Sequence, residues 1–309
     1  MIMSEPIQRP VVTLRGKLLF NEPMARHVSW RAGGLAARAY VPADVADLAA
    51  FLRSLPADEP VCLAGLGSNL LVRDGGYHGT VVLGHSTRAS IRMDNGCVYA
   101  DAGAASPKVA RFAANHALEG AEFFAGIPGT VGGALAMNAG CYGSETWDVV
   151  AQALMVDRGG ELHERPPADF ELGYRHCALK AGRLGEDIWF AGAWFQFSAG
   201  DGEKARARII ELLAQRIASQ PLNLPNAGSV FRNPEGDHAA RLIEACGLKG
   251  FGIGGARISE KHANFIVNPQ RRARAADIEA LIEHARRTVK ERFGIDLQPE
   301  VRIIGEAAA

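Results

Sequence analysis

Residues 126–143 read GIPGTVGGALAMNAGCYG. This window holds six glycines, where a chain with 35 glycines in 309 residues supplies about two. Glycine lets backbone N–H groups approach a ligand with no Cβ in the way, and such a loop running into a helix forms a site for a diphosphate. A flexible turn or a tight crossing of helix and sheet uses glycine equally well. Pro128, which stiffens the loop, and Asn138, a polar handle, move the balance towards ligand binding. A second turn, Gly65-Leu66-Gly67-Ser68-Asn69-Leu70, fails as a G-x-G-x-x-G dinucleotide fingerprint. Leu70 occupies the third glycine position, no amphipathic helix follows at once, and no acidic residue stands about 20 positions on to hold a ribose. Ser68 and Asn69, beside two exposed amides, still suit a second phosphate-facing turn.

Around these turns the pattern mixes helix and strand. Val45, Leu48, Ala49 and Leu52 predict a helix over 44–55 capped by Asp44, followed by strands at 61–64, 70–72 and 80–84, a small βαββ lobe. A second lobe opens with a hairpin turning at Asn95-Gly96. A helix capped by Ser106, with Pro107 at its first position, follows, then strands at 149–157 and 188–197. Helical periodicity from Gly202 to Ser219 stops before Pro221 and Pro225, where a domain boundary belongs. Beyond it come a short helix at HAARLIEAC, a strand at 263–267, an amphipathic helix over 277–293 and a terminal strand at EVRII.

Composition excludes several classes. The 34 Lys+Arg balance 34 Asp+Glu, so no surplus of positive charge is available to neutralise a phosphate backbone, and nucleic acid is not an expected partner. No apolar run reaches the roughly 18 residues of a membrane span, and the start MIMSEPIQRP has acid and proline where a signal peptide needs a basic, then apolar, run. The chain is expected to be cytoplasmic. Five widely spaced cysteines form no CxxC pair, and His163-Glu164 is followed by Pro166 and Pro167, which break the helix a zincin motif needs. Metal chemistry has no support.

GLGSNLLV (65–72), EFFAGIPGTVGGALAMNAGCYG (122–143), GYR (173–175), AGSVFRNP (227–234), SEKHANFIVN (259–268) and PEV (299–301) form an ordered set. Together they resemble the UDP-N-acetylenolpyruvoylglucosamine reductases, flavoenzymes of peptidoglycan precursor synthesis, from about Asn21 to Ile304. The resemblance implies an α+β chain: a two-lobed FAD-binding module of the vanillyl-alcohol-oxidase type, residues 21–85 and 86–219, then a smaller substrate-binding domain, residues 220–305. It implies FAD held by Gly65, Gly67, Ser68, Asn69 and Leu70 on one turn. The other turn would contribute Gly126, Ile127, Pro128, Gly129, Thr130, Gly132, Gly133, Ala134, Asn138, Ala139 and Gly140. It also implies NADPH as electron donor, a nucleotide-sugar substrate touched by Tyr174, Arg232, Asn233 and His262, and catalysis by Arg175, Ser229 and Glu300. Sequence is compatible with a monomer.

The chemistry of those three can be argued independently. Hydride added to an enolpyruvyl group leaves negative charge beside a carboxylate, which must be stabilised and then protonated. A guanidinium stays charged and clamps a carboxylate with two bonds, the part given to Arg175. The carbanion is basic enough to take a proton from the Ser229 hydroxyl, and Glu300 would orient a water or the intermediate. Two departures from the family stand out: His176 and Cys177 follow the arginine where the family commonly has a serine at the second place, and the short 177–189 segment lacks the tyrosine-bearing loop of one branch. An FAD-linked oxidase and a non-catalytic nucleotide-sugar binder remain the alternatives.

Overall fold

The computed structural model describes residues 13–86 and 88–308; the N-terminal stretch weighed above as a signal peptide lies outside them. Asp44 does cap the helix Val45–Ser54, its side chain accepting from the Asp47 amide. This helix packs on a four-stranded sheet whose order is Lys17–Pro23, Leu35–Val41, Tyr77–Leu83, Val61–Ala64. The first pair is antiparallel and the other two are parallel. The strand Leu70–Val72 leaves this sheet and pairs in parallel with Arg302–Ile304, so the expected βαββ unit gains two earlier strands and yields one to the chain's end.

The second lobe is a five-stranded antiparallel sheet in the order Leu162–Arg165, Val150–Asp157, Ile188–Phe195, Cys97–Asp101, Ile91–Asp94. Asn95 and Gly96 both have positive φ, 49° and 83°, as the tight hairpin between Asp94 and Cys97 requires. The helix Ser106–Asn115 corrects one expectation: its cap position is Ala105, no side chain caps it, and the Ser106 hydroxyl is buried without a partner among the described residues. Proline at the helix start fixes that end without a capping bond. With the helices Val131–Met137 and Gly202–Ser219, the sheet encloses a core built on Phe123, Phe124, Trp147, Phe190 and Phe195.

The last third packs the helices Ala239–Ala245 and Ala275–Phe293 on the three-stranded sheet Gly252–Ile253, Ala256–Ile258, Ile266–Val267. Its core takes in Trp30 and Leu71 from the first lobe. The Trp30 indole donates to the Ile266 carbonyl at 2.7 Å, and Asn268 donates back to the Trp30 carbonyl at 3.0 Å. Asp74 accepts from the amides of Ala275 and Ala276, both at 2.9 Å, and so caps the 19-residue helix from another part of the chain.

Candidate active site

A cavity of about 1000 Å³ runs from the seam between the first two lobes to the C-terminal unit, at the upper end of the range for ligand pockets. Its wall includes Gly65, Gly67, Ser68, Asn69 and Leu70 from one glycine turn. From the other come Gly126, Ile127, Pro128, Gly129, Thr130, Gly132, Gly133, Ala134, Ala139 and Gly140. Arg175, Ser229, Arg232 and Glu300 complete it. Five segments scattered over the sequence therefore open onto one space.

The two turns face each other. A Cβ on Gly65 would run into the Thr130 hydroxyl, and one on Gly129 would stand 3.3 Å from the Ser68 hydroxyl. Gly67 has φ +62°, a left-handed backbone. Among the described residues the amides of Leu66, Gly67, Ser68 and Asn69 donate to no protein acceptor. Consecutive free amides make a concave site for an anion, so this cradle fits the diphosphate of a dinucleotide. Other glycines answer the blander alternative: a Cβ on Gly126 would meet the Cys141 sulfur at 2.6 Å, and one on Gly132 would meet the Ala102 side chain at 2.9 Å. The glycine excess therefore has two causes, ligand access and tight packing.

Arg175 occupies the turn of a hairpin between Phe170–Gly173 and His176–Leu179, with φ +54°. A non-glycine residue in that region is held there by its surroundings. Its Nε donates to Glu300 Oε1 at 3.0 Å and its Nη2 to the Gly140 carbonyl at 2.8 Å. The pair is largely enclosed, with side-chain exposures of 18% and 17%. Burial pushes the Glu300 carboxyl above its usual range, and the neighbouring Arg175 offsets only part of that.

Ser229 is brought to Glu300 by main-chain bonds. The Glu300 amide donates to the Val230 carbonyl at 2.7 Å, and the Arg232 amide to the Gln298 carbonyl at 2.9 Å. Asn264, in the SEKHANFIVN segment, clamps the same stretch: its side chain accepts from the Phe231 amide at 3.0 Å and donates to the Phe231 carbonyl at 2.8 Å. From the other side, Asn69 donates to the Glu300 carbonyl at 3.0 Å.

Four expected contacts stand apart from the cavity wall. Asn138 spends its side chain on Glu145, the Gly173 carbonyl and the Trp147 amide. Asn233 accepts from the Ala239 amide at the start of a helix. Tyr174 is 48% exposed beside the Arg175 guanidinium. His262 accepts from the Asn264 amide and meets Phe265 edge-on at 4.7 Å; burial holds its pKa below the usual value. Conversely, nothing in the sequence singled out Arg216, which lies in the last turn of the helix Gly202–Ser219. It lines the cavity, its Nε donates to neutral Gln220 at 2.9 Å, and burial lowers its pKa. Cys141 and Cys177 also line the cavity, but burial raises their pKa values to about 11 and about 12, which keeps both as inert thiols. Among the described residues no group of three or more His, Cys, Asp or Glu could hold a metal ion, and no helix is long and apolar enough to cross a membrane.

Known proteins agree with this geometry. A family model described as "FAD binding domain" matches residues 36–165, and one described as "UDP-N-acetylenolpyruvoylglucosamine reductase, C-terminal domain" matches 220–304. The UDP-N-acetylenolpyruvoylglucosamine reductase of Thiobacillus denitrificans is 60% identical, covering 95% of this chain and 94% of the relative. That of Nitrosospira multiformis is 56% identical, over 96% and 90%. The crystal structure of the reductase from Thermus caldophilus superposes with a TM-score of 0.77 at 29% identity, over 94% of this chain and 99% of the other. With an α+β architecture, an FAD-binding module and relatives this similar over nearly their full length, the chain belongs to the UDP-N-acetylenolpyruvoylglucosamine reductase family.

Proposed function

We propose that the chain is a cytoplasmic, monomeric flavoenzyme that uses NADPH to reduce UDP-N-acetylglucosamine enolpyruvate to UDP-N-acetylmuramate. Residues 21–85 and 86–219 would form the FAD lobes and 220–305 the substrate domain. What carries the reading is one cavity that gathers the free amides of Leu66 to Asn69, the Arg175–Glu300 pair and Ser229.

FAD, when bound and reduced, supplies the hydride for the enolpyruvyl double bond. The free amides, with Gly129 and Thr130 opposite, would hold its diphosphate. Arg175 keeps Nη1 and one Nη2 proton uncommitted after its bonds to Glu300 and Gly140, enough for two parallel bonds to the substrate carboxylate. Charge arriving on that carboxylate is stabilised there by ~3 kcal/mol, the worth of a single oxyanion donor. Ser229 gives its hydroxyl proton to the carbon beside the carboxylate. Glu300 holds Arg175 in place and orients a water or the intermediate, and Arg232 offers a cation to the sugar diphosphate.

The test is a pair of anaerobic half-reactions on the purified yellow protein. NADPH is expected to bleach the flavin, and UDP-N-acetylglucosamine enolpyruvate to restore its colour. Reoxidation by oxygen but not by this substrate would overturn the reading in favour of an oxidase, and a colourless protein that takes up no flavin would reduce the chain to a binder.

A further inference from the structure

Trp189 lies on the strand Ile188–Phe195, is 3% exposed, and packs in the cluster between the two lobes with Tyr40, Leu48 and Ala191. It lines the cavity, yet its Nε1 is buried with no hydrogen-bond partner among the described residues. An indole nitrogen can only donate, and buried donors almost always find an acceptor. The neighbouring cation does not supply one: the Arg158 guanidinium stands 5.6 Å from the ring centroid. An acceptor missing among the described residues points to a ligand.

Which part of a ligand reaches Trp189 follows from the course of the chain. The strand Val61–Ala64 starts in the cluster that contains Trp189 and runs into the turn of free amides. That turn ends at Asn69, which bonds Glu300 beside Ser229. The free amides therefore lie between Trp189 and the catalytic residues. If the cofactor reading above holds, the flavin stands at Ser229, the diphosphate at the amides, and the adenosine end reaches Trp189. The wall there is apolar, with Pro42, Val45, Leu48 and Leu63. A purine is a flat apolar ring that carries acceptor nitrogens on its edges.

We propose that Trp189 holds the adenine of the cofactor, its Nε1–H donating to a purine ring nitrogen, and thereby favours FAD over FMN. The test uses full-length protein stripped of flavin and reloaded with FAD or FMN. Trp189→Phe keeps a flat ring and removes the donor. FAD affinity is expected to fall about three- to tenfold, the range of one net hydrogen bond, with FMN affinity unchanged within twofold. In the parent protein labelled with ¹⁵N-indole tryptophan, one of four indole signals, assigned to Trp189, is expected to move on loading with FAD and to stay in place with FMN. This second measurement needs no variant to fold. Equal FAD affinity in parent and variant, or an unmoved Trp189 signal, overturns the proposal while leaving the cofactor reading intact. Failure of the stripped parent to take up either flavin overturns both.

Discussion

Replacing Arg175 with lysine tests the anion clamp at its most exposed point. The guanidinium bonds Glu300 Oε1 at 3.0 Å and the Gly140 carbonyl at 2.8 Å while leaving further N–H groups for a ligand. A lysine brings one nitrogen, which can serve Glu300 or Gly140 but not both alongside a substrate carboxylate. Truncation to alanine is the poorer choice, because a buried carboxylate stripped of its cation costs ~3–5 kcal/mol and confuses folding with catalysis. Lysine keeps the charge and loses the fork. Loss of one oxyanion donor slows catalysis by about 10²–10³, or ~2.7–4 kcal/mol, and the retained charge favours the lower end. Flavin reoxidation by the enolpyruvyl substrate is therefore expected to slow about 100-fold, with reduction by NADPH changed less than about threefold and flavin content unaltered. Anaerobic stopped-flow absorbance separates the two steps. Reoxidation within about threefold of the parent, a difference of ~0.6 kcal/mol by the same rate relation, would refute the clamp.

Ser229→Ala is expected to keep bleaching by NADPH and to lose turnover to the lactyl ether by about 10²-fold or more, as for removal of a general acid; equal retention of both half-reactions would remove the hydroxyl from the mechanism. Asp74→Ala takes two acceptors from the start of Ala275–Phe293, and at ~1–2 kcal/mol for a lost cap the melting temperature should drop by about 2–8 °C, read by calorimetry. An unchanged melting temperature would deny the cap its part in joining the C-terminal unit to the first lobe. Because Glu300 titrates above its usual 4.5 in the folded chain, the folded state holds this proton more tightly than the unfolded one, so its contribution to stability falls as pH rises from about 4.5 through the raised value and is flat above it. Urea unfolding should find Glu300→Gln gaining on the parent across that window; a pH-independent gap would show that the carboxyl is not raised.

The local parts of the fold could be read because local chemistry decides them. Asp44 had only to meet an amide three residues on, and Asn95-Gly96 had only to reverse a hairpin. The strands Lys17–Pro23 and Leu35–Val41 escaped notice because the first is an edge strand that leaves Leu18 and Phe20 in water, which blurs the alternation a half-buried strand displays. The fate of Leu70–Val72 depended on Arg302–Ile304, far beyond any window. In the site, the motif segments open onto one cavity, but a motif does not carry the direction of each side chain. Asn138, Asn233 and Asn264 look alike in sequence, and all three spend their amides within the protein, on backbone groups and, for Asn138, on the Glu145 carboxylate as well. A polar residue that satisfies a buried amide and one that faces a ligand leave the same trace in a motif; Ser106 misled differently, since the proline after it fixes the helix start and leaves its hydroxyl without a partner among the described residues.

The two sides of the proposed catalytic group are held by different means. Glu300 and the Ser229 segment sit in main-chain ladders, tied to Asn69 on one flank and clamped by Asn264 on the other. Several backbone bonds must open together before those residues shift. Arg175 stands at a hairpin tip in a left-handed conformation and is fixed by one ion pair and one carbonyl. The cradle proposed for the diphosphate belongs to the first side, since the turn that presents the amides ends at Asn69. A disturbance elsewhere in the chain therefore reaches the position of Arg175 before it reaches the spacing between cofactor cradle and Glu300. Substitutions that lower activity without touching the cavity should concentrate in the hairpin 170–179 and its support from Asn138, whose amide holds the Gly173 carbonyl at 3.1 Å.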